Sequence, residues 1–453
     1  MGGNSWFCYN ASPMSHNPVL YGEQTRRAIQ NFPISGWSMP QEIIRALALI
    51  KEHAAVVNGE LGVIPKSYVK VISDAARRIK EGEFSDQFPV DVFQTGSGTS
   101  TNMNVNEVIA SLASTPIKGI HPNDHVNRCQ SSNDTIPTAI QIACALKVRD
   151  ELIPALEMLK RALNRKAREF KLIIKTARTH LMDAVPVSLG DEFEAFVALV
   201  DHAIDELKHS QNNLCVLPLG GTAAGTGANA HPKFAGLVID RINEETGLAL
   251  EEAKNHISAQ SCPLVTLELS GCLRSTSAAL NKIANDIRWM SSGPTAGLNE
   301  LKLPALQAGS SIMPGKVNPV ICESVMQVGM YVEGADTTVR AGIREGSAFE
   351  LNTAYPVIAQ SLIMSLRLIT NVTNAFVSKC VDGIKANEKA IASKVERNAM
   401  LATALAPIIG YDKAAEIAKE AMEKDLTIYE VAQQKIVMPE NQLKKLLDIN
   451  KMV

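Results

Sequence analysis

The densest group of reactive side chains in this chain lies at residues 309–319, which read Gly-Ser-Ser-Ile-Met-Pro-Gly-Lys-Val-Asn-Pro. Glycine lets backbone N–H groups approach a ligand closely. Lys316 supplies a positive charge, and the serine and asparagine side chains supply hydrogen-bond donors. This combination suits a small dicarboxylate whose negative charge grows during a reaction.

The end of this segment also has a structural interpretation, because Asn318 and Pro319 suit the N-cap and the first position of a helix. That interpretation accounts for these two residues only. The residues that it leaves unexplained are Ser310, Ser311, Gly315 and Lys316.

A second polar cluster spans residues 94–106, which read Gln-Thr-Gly-Ser-Gly-Thr-Ser-Thr-Asn-Met-Asn-Val-Asn. Hydroxyl and amide groups beside two glycines would form an anion cradle. The same residues also suit a capped loop that leads into a helix. Gly-Ser-Gly-Thr alone is a weak motif, so both interpretations stay open at this point.

A third cluster consists of residues 121–127 and 131–134. His-Pro-Asn-Asp at residues 121–124 has the composition of a turn. Ser-Ser-Asn-Asp at residues 131–134 precedes Thr-Ile-Pro, and Asp134 suits the start of a helix. Each segment therefore has a structural alternative to a binding role.

A fourth cluster surrounds His180, within Ala-Arg-Thr-His-Leu-Met-Asp-Ala at residues 177–184. A histidine flanked by Thr179 and Asp183 is a candidate general base. The alternative is a histidine that is satisfied within the core. The glycine-rich run at residues 219–227 lacks a Gly-Lys-Ser/Thr ending and follows no clear strand, so we reject a nucleotide site there.

Helical periodicity dominates the elements that must position these clusters. Leu152, Leu156, Leu159 and Leu163 recur at helical spacing, and similar patterns occupy residues 193–207, 264–287, 319–343 and 353–380. About five long helices between residues 135 and 385 predict an up-and-down bundle. Shorter helices are predicted near residues 40–57, 65–80, 413–424 and 440–447, with a break at Gly410.

Composition excludes several functional classes. The 453 residues carry a formal charge of −2 without a basic block, so we expect no nucleic-acid or membrane partner. No apolar run reaches the length of a membrane span. Eight scattered cysteines indicate reduced thiols in a cytoplasmic compartment, and nine histidines show no zinc-binding spacing. Residues 1–13 match no pattern that we can interpret.

In this order, the clusters resemble the fumarase/aspartase superfamily of lyases from about residue 21 to the C-terminal helices. Residues 94–99 and 410–414 are similar to class II fumarases, whereas aspartases tend to carry alanine at positions 95 and 97. Gly315 also matches the fumarase loop, where aspartases usually have alanine. Val320 and Ile321 resemble the aspartase loop instead.

The resemblance implies a mainly α-helical fold in three parts. A mixed N-terminal domain would comprise residues 1–131, a long five-helix bundle residues 132–388, and a small helical C-terminal domain residues 389–453. In this family four bundles form the twenty-helix core of a homotetramer, and each active site takes segments from three subunits. A cytoplasmic enzyme of the tricarboxylic acid cycle is the corresponding expectation.

The implied reaction is the reversible hydration of fumarate to L-malate, without a cofactor or a metal. Ser310 would be the base at carbon, and His180, paired with Glu323, would be the opposite acid/base. The implied substrate-binding residues are Ser97, Gly98, Thr99, Ser131, Ser132, Asn133, Thr179, Ser311, Lys316, Val317 and Asn318. A second dicarboxylate site would contain His121, Pro122, Asn123 and Asp124.

Four alternatives share the fold. Aspartate ammonia-lyase would use the same loop with an amine as the leaving group. Argininosuccinate and adenylosuccinate lyases match the fumarase-like clusters less well. A lens-crystallin role would not need the joint presence of Ser310, Lys316, Asn318 and His180, which favours an enzyme.

Overall fold

A computed structural model describes residues 18–115 and 119–452, so the uninterpreted residues 1–13 lie outside the described part. The described chain is mostly helical. Its α-helices are α1 (Glu23–Asn31), α2 (Gln41–Glu60), α3 (Lys66–Lys80), α4 (Thr99–Ala113), α5 (Ser132–Lys147), α6 (Ile153–Glu169), α7 (Leu189–Asn213), α8 (Phe234–Thr246), α9 (His256–Ser261), α10 (Leu264–Met290), α11 (Val320–Gly346), α12 (Tyr355–Lys379), α13 (Glu388–Glu396), α14 (Ala406–Ile409), α15 (Tyr411–Lys424), α16 (Ile428–Lys435) and α17 (Glu440–Leu446).

Short strands and turns connect the helices. The strands are β1 (Ile174–Thr179), β2 (Met182–Ser188), β3 (Val216–Leu217), β4 (Glu251–Glu252), β5 (Leu301–Lys302), β6 (Ser347–Ala348), β7 (Leu351–Asn352) and β8 (Lys385–Ala386). They form four two-stranded ladders: β1–β2, β5–β8 and β6–β7 are antiparallel, and β3–β4 is parallel. Helical turns of the 3₁₀ or π type occupy Ser85–Gln87, Pro122–Val126, Val148–Leu152, Val381–Gly383, Ala399–Ala404 and Ile449–Lys451.

The chain divides into two compact units. Among the described residues, the first contains 18–148, 209–271 and 334–365, and the second contains 149–208, 272–333 and 366–452. This division by compactness does not test the three domains predicted from the sequence, which stay a prediction.

The predicted helices are present where the apolar spacing is regular. The four leucines at positions 152, 156, 159 and 163 are each 0% exposed, as one stripe of a buried helix requires. Long helices α7, α10, α11 and α12 cover the other four patterns. Helices α2 and α3 match the predictions at residues 40–57 and 65–80. Among the described helices, none combines the length and the apolar composition that a membrane span requires.

The C-terminal residues pack around a hydrophobic cluster of their own. Leu405, Ile417, Val431 and Leu443 are among its buried members. Gly410 separates α14 from α15 with a φ of +88°, as the predicted break requires. The sequence predicted α15 and α17 but not α13, α14 or α16. Of the helices that it missed, α14 has only four residues, too few to show a repeat of an apolar pattern.

Candidate active site

Two polar clusters that are separate in the sequence meet in the first unit. The Ser97 and Thr99 hydroxyls lie 2.9 Å apart, and the Thr99 and Ser132 hydroxyls lie 2.8 Å apart. Thr99 begins α4 and Ser132 begins α5, so this row of hydroxyls lies at two helix N-termini. Helix N-termini expose N–H groups and carry a partial positive charge, which makes the arrangement suitable for a carboxylate.

Both starting segments adopt the helix-start geometry that the sequence suggested. Gly98 precedes α4 with a φ of +75°, which glycine adopts without strain. Ser131 caps α5, and Asp134 completes a capping box with it. The helix-start interpretation is therefore confirmed for α5, whereas α4 follows its loop as predicted but without a side-chain cap at Gly98. Neither helix start excludes binding, because the hydroxyls at these starts remain beside one another.

Gly96 allows the 94–98 loop to pack closely against residues 353–355. A Cβ on Gly96 would lie 2.0 Å from the carbonyl oxygen of Thr353. The Tyr355 N–H also donates to the Gly96 carbonyl oxygen at 3.0 Å. The nearest atoms belong to the backbone of Thr353, so no flexible side chain can move aside to make room for the added Cβ.

We expect Gly96→Ala to destabilise the protein by about 1–3 kcal/mol, the usual cost of forcing extra volume into a packed site. The displaced loop should also lower kcat/KM, since Ser97 and Thr99 follow directly. Thermal unfolding and steady-state assays measure both effects. Gly119→Ala is the control, because a Cβ there meets nothing within 4 Å. Equal stability of the two variants would show that this close approach is not required.

Residues 309–319 form a closed loop in the second unit. The Gly309 N–H donates to the Lys316 carbonyl oxygen at 2.7 Å, and the Asn318 Nδ2 donates to the Gly309 carbonyl oxygen at 2.9 Å. Gly315 turns the chain with a φ of +80°. The loop therefore holds its own shape while Ser311, Lys316 and several neighbours stay exposed.

Ser310 has the most informative geometry in this loop. Its Oγ accepts hydrogen bonds from the Ile312 N–H at 3.2 Å and from the Met313 N–H at 3.1 Å. Two backbone N–H groups directed at one oxygen stabilise negative charge on that oxygen. The arrangement suits a serine that must lose its proton during a reaction.

The helix that follows begins one residue later than the cap interpretation requires. Helix α11 starts at Val320, and the Glu323 N–H donates to the Pro319 carbonyl oxygen at 3.1 Å. The carbonyl of Pro319 thus accepts the first hydrogen bond of the helix, so Pro319 is the N-cap residue. The prediction of Asn318 as N-cap and Pro319 as first helical residue was therefore wrong by one residue, and the Asn318 Nδ2 donates within the loop, to Gly309.

His180 lies in the turn between β1 and β2. The two turn residues, His180 and Leu181, have φ values of +56° and +61°, and the strands pair through Thr179 and Met182. Positive φ at both central positions is the mark of a type I′ hairpin turn, which usually contains Asn or Gly. Non-glycine residues in this region carry strain, and such strain clusters at functional sites. His180 is exposed, so the core-histidine interpretation is wrong.

A buried ion cluster anchors the base of this hairpin. Arg178 binds Glu300 through two hydrogen bonds of 2.5 and 3.1 Å, and the Lys175 Nζ lies 3.3 Å from the same carboxylate. Glu300 is 1% exposed. Burial would lower the pKa of Arg178, but its hydrogen bonds to Glu300 raise the pKa above the ordinary value. The sequence analysis assigned no role to Arg178 or Glu300. The charge of Arg178, two positions before His180, was a signal that could have identified it.

In the single chain, the predicted acid/base pair is not formed. Within the described residues, His180 and Glu323 share no hydrogen bond or ion pair. Thr179 is exposed beside His180, and Val317 is 49% exposed in the loop. These side chains are therefore available to contacts that one chain does not supply.

The His121 segment forms the predicted turn. Pro122–Val126 make one π-type helical turn, whose preceding residue His121 accepts a hydrogen bond from the Asp124 N–H at 3.1 Å. The His121 ring also lies 3.1 Å from the Asp124 carboxylate. Burial lowers the pKa of the neighbouring His125. A second dicarboxylate site here stays a prediction.

The described part of the chain contains no cluster of potential metal ligands. There, no group of three or more His, Cys, Asp or Glu side chains is placed to hold an ion. The same residues contain no disulfide.

Comparison with known proteins identifies the family. A family model described as Lyase matches residues 14–334, and one described as Fumarase C C-terminus matches residues 401–453. A Xylella fastidiosa protein described as fumarate hydratase class II is 49% identical over 431 residues, 95% of this chain and 91% of its own length. This chain belongs to the class II fumarase family.

Solved structures confirm the fold class of this family, mainly helical and fumarase/aspartase-like. A class II fumarase from Schistosoma mansoni has a TM-score of 0.93 and 36% identity, with 97% of this chain and 96% of that chain covered. A fumarate lyase:delta crystallin from Brucella melitensis bound to cobalt has a TM-score of 0.91 and 41% identity, with 96% of each chain covered.

Proposed function

We propose that this chain is a hydro-lyase that catalyses the reversible hydration of fumarate to L-malate. The observation that carries this proposal is 49% identity, over 95% of the chain, to a protein described as fumarate hydratase class II. The aspartate ammonia-lyase alternative is not favoured by these relatives. The geometry of the described residues is consistent with the chemistry of the hydratase.

Dehydration of malate removes a proton from the carbon next to a carboxylate. That C–H bond is very weakly acidic, so a base alone does not suffice. Negative charge must move into the carboxylate and produce an aci-carboxylate dianion. Preorganised hydrogen-bond donors and positive charges lower the energy of such an intermediate.

The donors that we assign to this carboxylate are Lys316 and Asn318, with Ser131, Ser132 and Asn133 contributing from another subunit. Ser97, Gly98, Thr99, Thr179, Ser311 and Val317 complete the substrate pocket. The hydroxyl row of Thr99 and Ser132 supports this assignment, because it lies at the positive ends of two helices.

Ser310 is the base that takes the carbon proton. A serine hydroxyl is far too weak a base unless its alkoxide is stabilised. The N–H groups of Ile312 and Met313 already donate to this oxygen, and Lys316 adds a positive charge in the same loop.

His180 acts at the opposite carbon through a water molecule, and Glu323 orients its imidazole. A carboxylate beside a histidine also stabilises the imidazolium that forms. Because the pair is not formed within one chain, we place it between neighbouring copies of a homotetramer whose active sites take segments from three subunits. Leu181 and Met182, 71% and 69% exposed beside His180, support burial of the hairpin tip by another copy.

We propose that this chain has three further features of the family. They are the twenty-helix core of the tetramer, cytoplasmic localisation, and the second dicarboxylate site at His121, Pro122, Asn123 and Asp124. The division into residues 1–131, 132–388 and 389–453 is kept as the proposed domain organisation.

We expect the purified protein to produce fumarate from L-malate but not from L-aspartate. Ultraviolet absorbance of the fumarate double bond measures both reactions in the same buffer. A chelator should leave the rate unchanged, because the proposed chemistry uses only side chains. Fumarate production from L-aspartate alone would identify an ammonia-lyase, and an absence of turnover on both substrates would favour a structural protein.

A further inference from the structure

The glycine-rich run at residues 219–227 has a specific binding partner inside the protein. The N–H groups of Gly220 and Thr222 donate to the same oxygen, Oδ2 of Asp134, at 3.2 and 2.9 Å. Gly220 has a φ of +99° and Thr222 a φ of +55°. Positive φ at a threonine costs energy and persists only where surrounding contacts hold it. The loop is therefore shaped to direct two N–H groups at one carboxylate.

Asp134 uses its other oxygen at the start of α5. Its Oδ1 accepts from the Ser131 N–H at 2.9 Å, and the Ser131 hydroxyl accepts from the Asn133 N–H at 3.2 Å. Asp134 is fully buried. One carboxylate thus connects the proposed substrate-binding residues 131–133 to a loop that is 86 to 88 residues away in the chain.

The same loop also orients the Asn133 amide. The Asn133 Nδ2 donates to the Ala223 carbonyl oxygen at 2.8 Å. This bond fixes which side of the amide carries the N–H groups and leaves its second N–H for another acceptor. The 220–223 loop therefore holds residues 131–133 through Asp134 on one side and through Asn133 on the other.

A buried lysine lies within electrostatic range of this carboxylate. Lys51 is 0% exposed, and its Nζ donates to the Asn127 Oδ1 at 2.8 Å. Burial lowers the pKa of Lys51 to about 7, and the charge of Asp134 opposes that shift. Burial also raises the pKa of Asp134, and its three backbone hydrogen bonds and the charge of Lys51 oppose that rise.

A simple helix cap would not need these contacts. The capping box of α16 shows the difference, since Glu430 is exposed and its capping bonds reach only Thr427. Asp134 makes the equivalent bond to Ser131 and in addition binds the distant loop.

We propose that Asp134 is a positioning residue, which together with the 220–223 loop holds residues 131–133 in the orientation that binds the substrate carboxylate. Asp134 and the 220–223 loop, which belongs to the glycine-rich run that resembles a phosphate loop, thus form a clamp around residues 131–133 of a dicarboxylate site. This inference rests on the proposed function, because it assigns the clamp to that same site.

The test is Asp134→Asn in the full-length enzyme, with succinate as a non-reacting dicarboxylate probe. The amide keeps the size of the carboxylate but places an NH₂ group against at least one of the donors. Misplacing residues 131–133 should raise both KM for L-malate and Ki for succinate about tenfold or more. We expect kcat/KM to fall by about 10²-fold, as small displacements of positioning groups do.

Glu107→Gln is the matched control. Glu107 is also buried and accepts backbone hydrogen bonds from Gly22, Gln24 and Thr25, at the start of α1. The control should lower the unfolding temperature without changing KM or Ki. If Asp134→Asn also lowered only the unfolding temperature, Asp134 would be a structural cap and the inference would be wrong.

Gly220→Ala changes the loop of the clamp and leaves Asp134 in place. It provides the test if Asp134→Asn does not fold. The added Cβ would lie 2.6 Å from the Ala235 Cβ, so the loop must move while Asp134 stays intact. The same rise in KM and Ki is expected, and unchanged values would overturn the inference. Wild-type protein that neither turns over L-malate nor binds succinate would instead refute the proposed function.

Discussion

Replacing Ser310 with alanine should lower L-malate turnover by about 10²- to 10⁴-fold, the usual contribution of a positioned proton-transfer group. The variant removes the oxygen that accepts from the Ile312 and Met313 N–H groups. The loop should keep its shape, because the Gly309–Lys316 and Asn318–Gly309 hydrogen bonds close it independently of Ser310. Steady-state kinetics with L-malate and with fumarate measure the loss in both directions.

Ser324→Ala provides the control for this experiment. Ser324 is an exposed serine on α11 whose hydroxyl donates to the Val320 carbonyl oxygen. We expect it to retain wild-type turnover. Near-normal dehydration of malate by Ser310→Ala would refute the assignment of the base, provided that circular dichroism shows both variants folded.

His180→Asn should remove most of the activity, again by about 10²- to 10⁴-fold. Asparagine is the suitable replacement, because it tolerates the positive φ that the turn imposes at position 180. The hairpin should therefore fold as before, and the loss should reflect the missing imidazole.

His202, one of two exposed histidines of α7, supplies the comparison. His202→Asn changes the same chemical group away from the hairpin and should leave the rate unchanged. Normal turnover by His180→Asn would show that the strained, exposed turn does not serve acid/base chemistry.

Much of the fold was predictable because its signals are local. Apolar residues at helical spacing, such as Leu152 and Leu156, report one buried face without knowledge of the partner that covers it. Turn signals at Gly98 and Gly410 work in the same way, since each depends on the conformational freedom of one residue. The four-residue helix α14 is too short to show such a repeat.

The candidate site was predictable as a set of residues but not as a geometry. The sequence placed hydroxyls, amides and a lysine in four clusters, and their order indicated the family. It did not show that the Thr99 hydroxyl lies 2.8 Å from the Ser132 hydroxyl. It also suggested Asn318 as the N-cap of the next helix, whereas the structure starts that helix one residue later, with Pro319 as the N-cap.

The sequence by itself determined the helical class, the family and the residue types that can perform the chemistry, because composition and periodicity are properties of neighbouring positions. Tertiary structure decided which distant groups share a hydrogen bond: Asp134 with Gly220 and Thr222, and Arg178 with Glu300. The physical reason is that hydrogen bonds depend on distance and direction. The distance and direction between two groups that are far apart in the sequence depend on the backbone angles of all the residues between them. No short stretch of sequence specifies those angles.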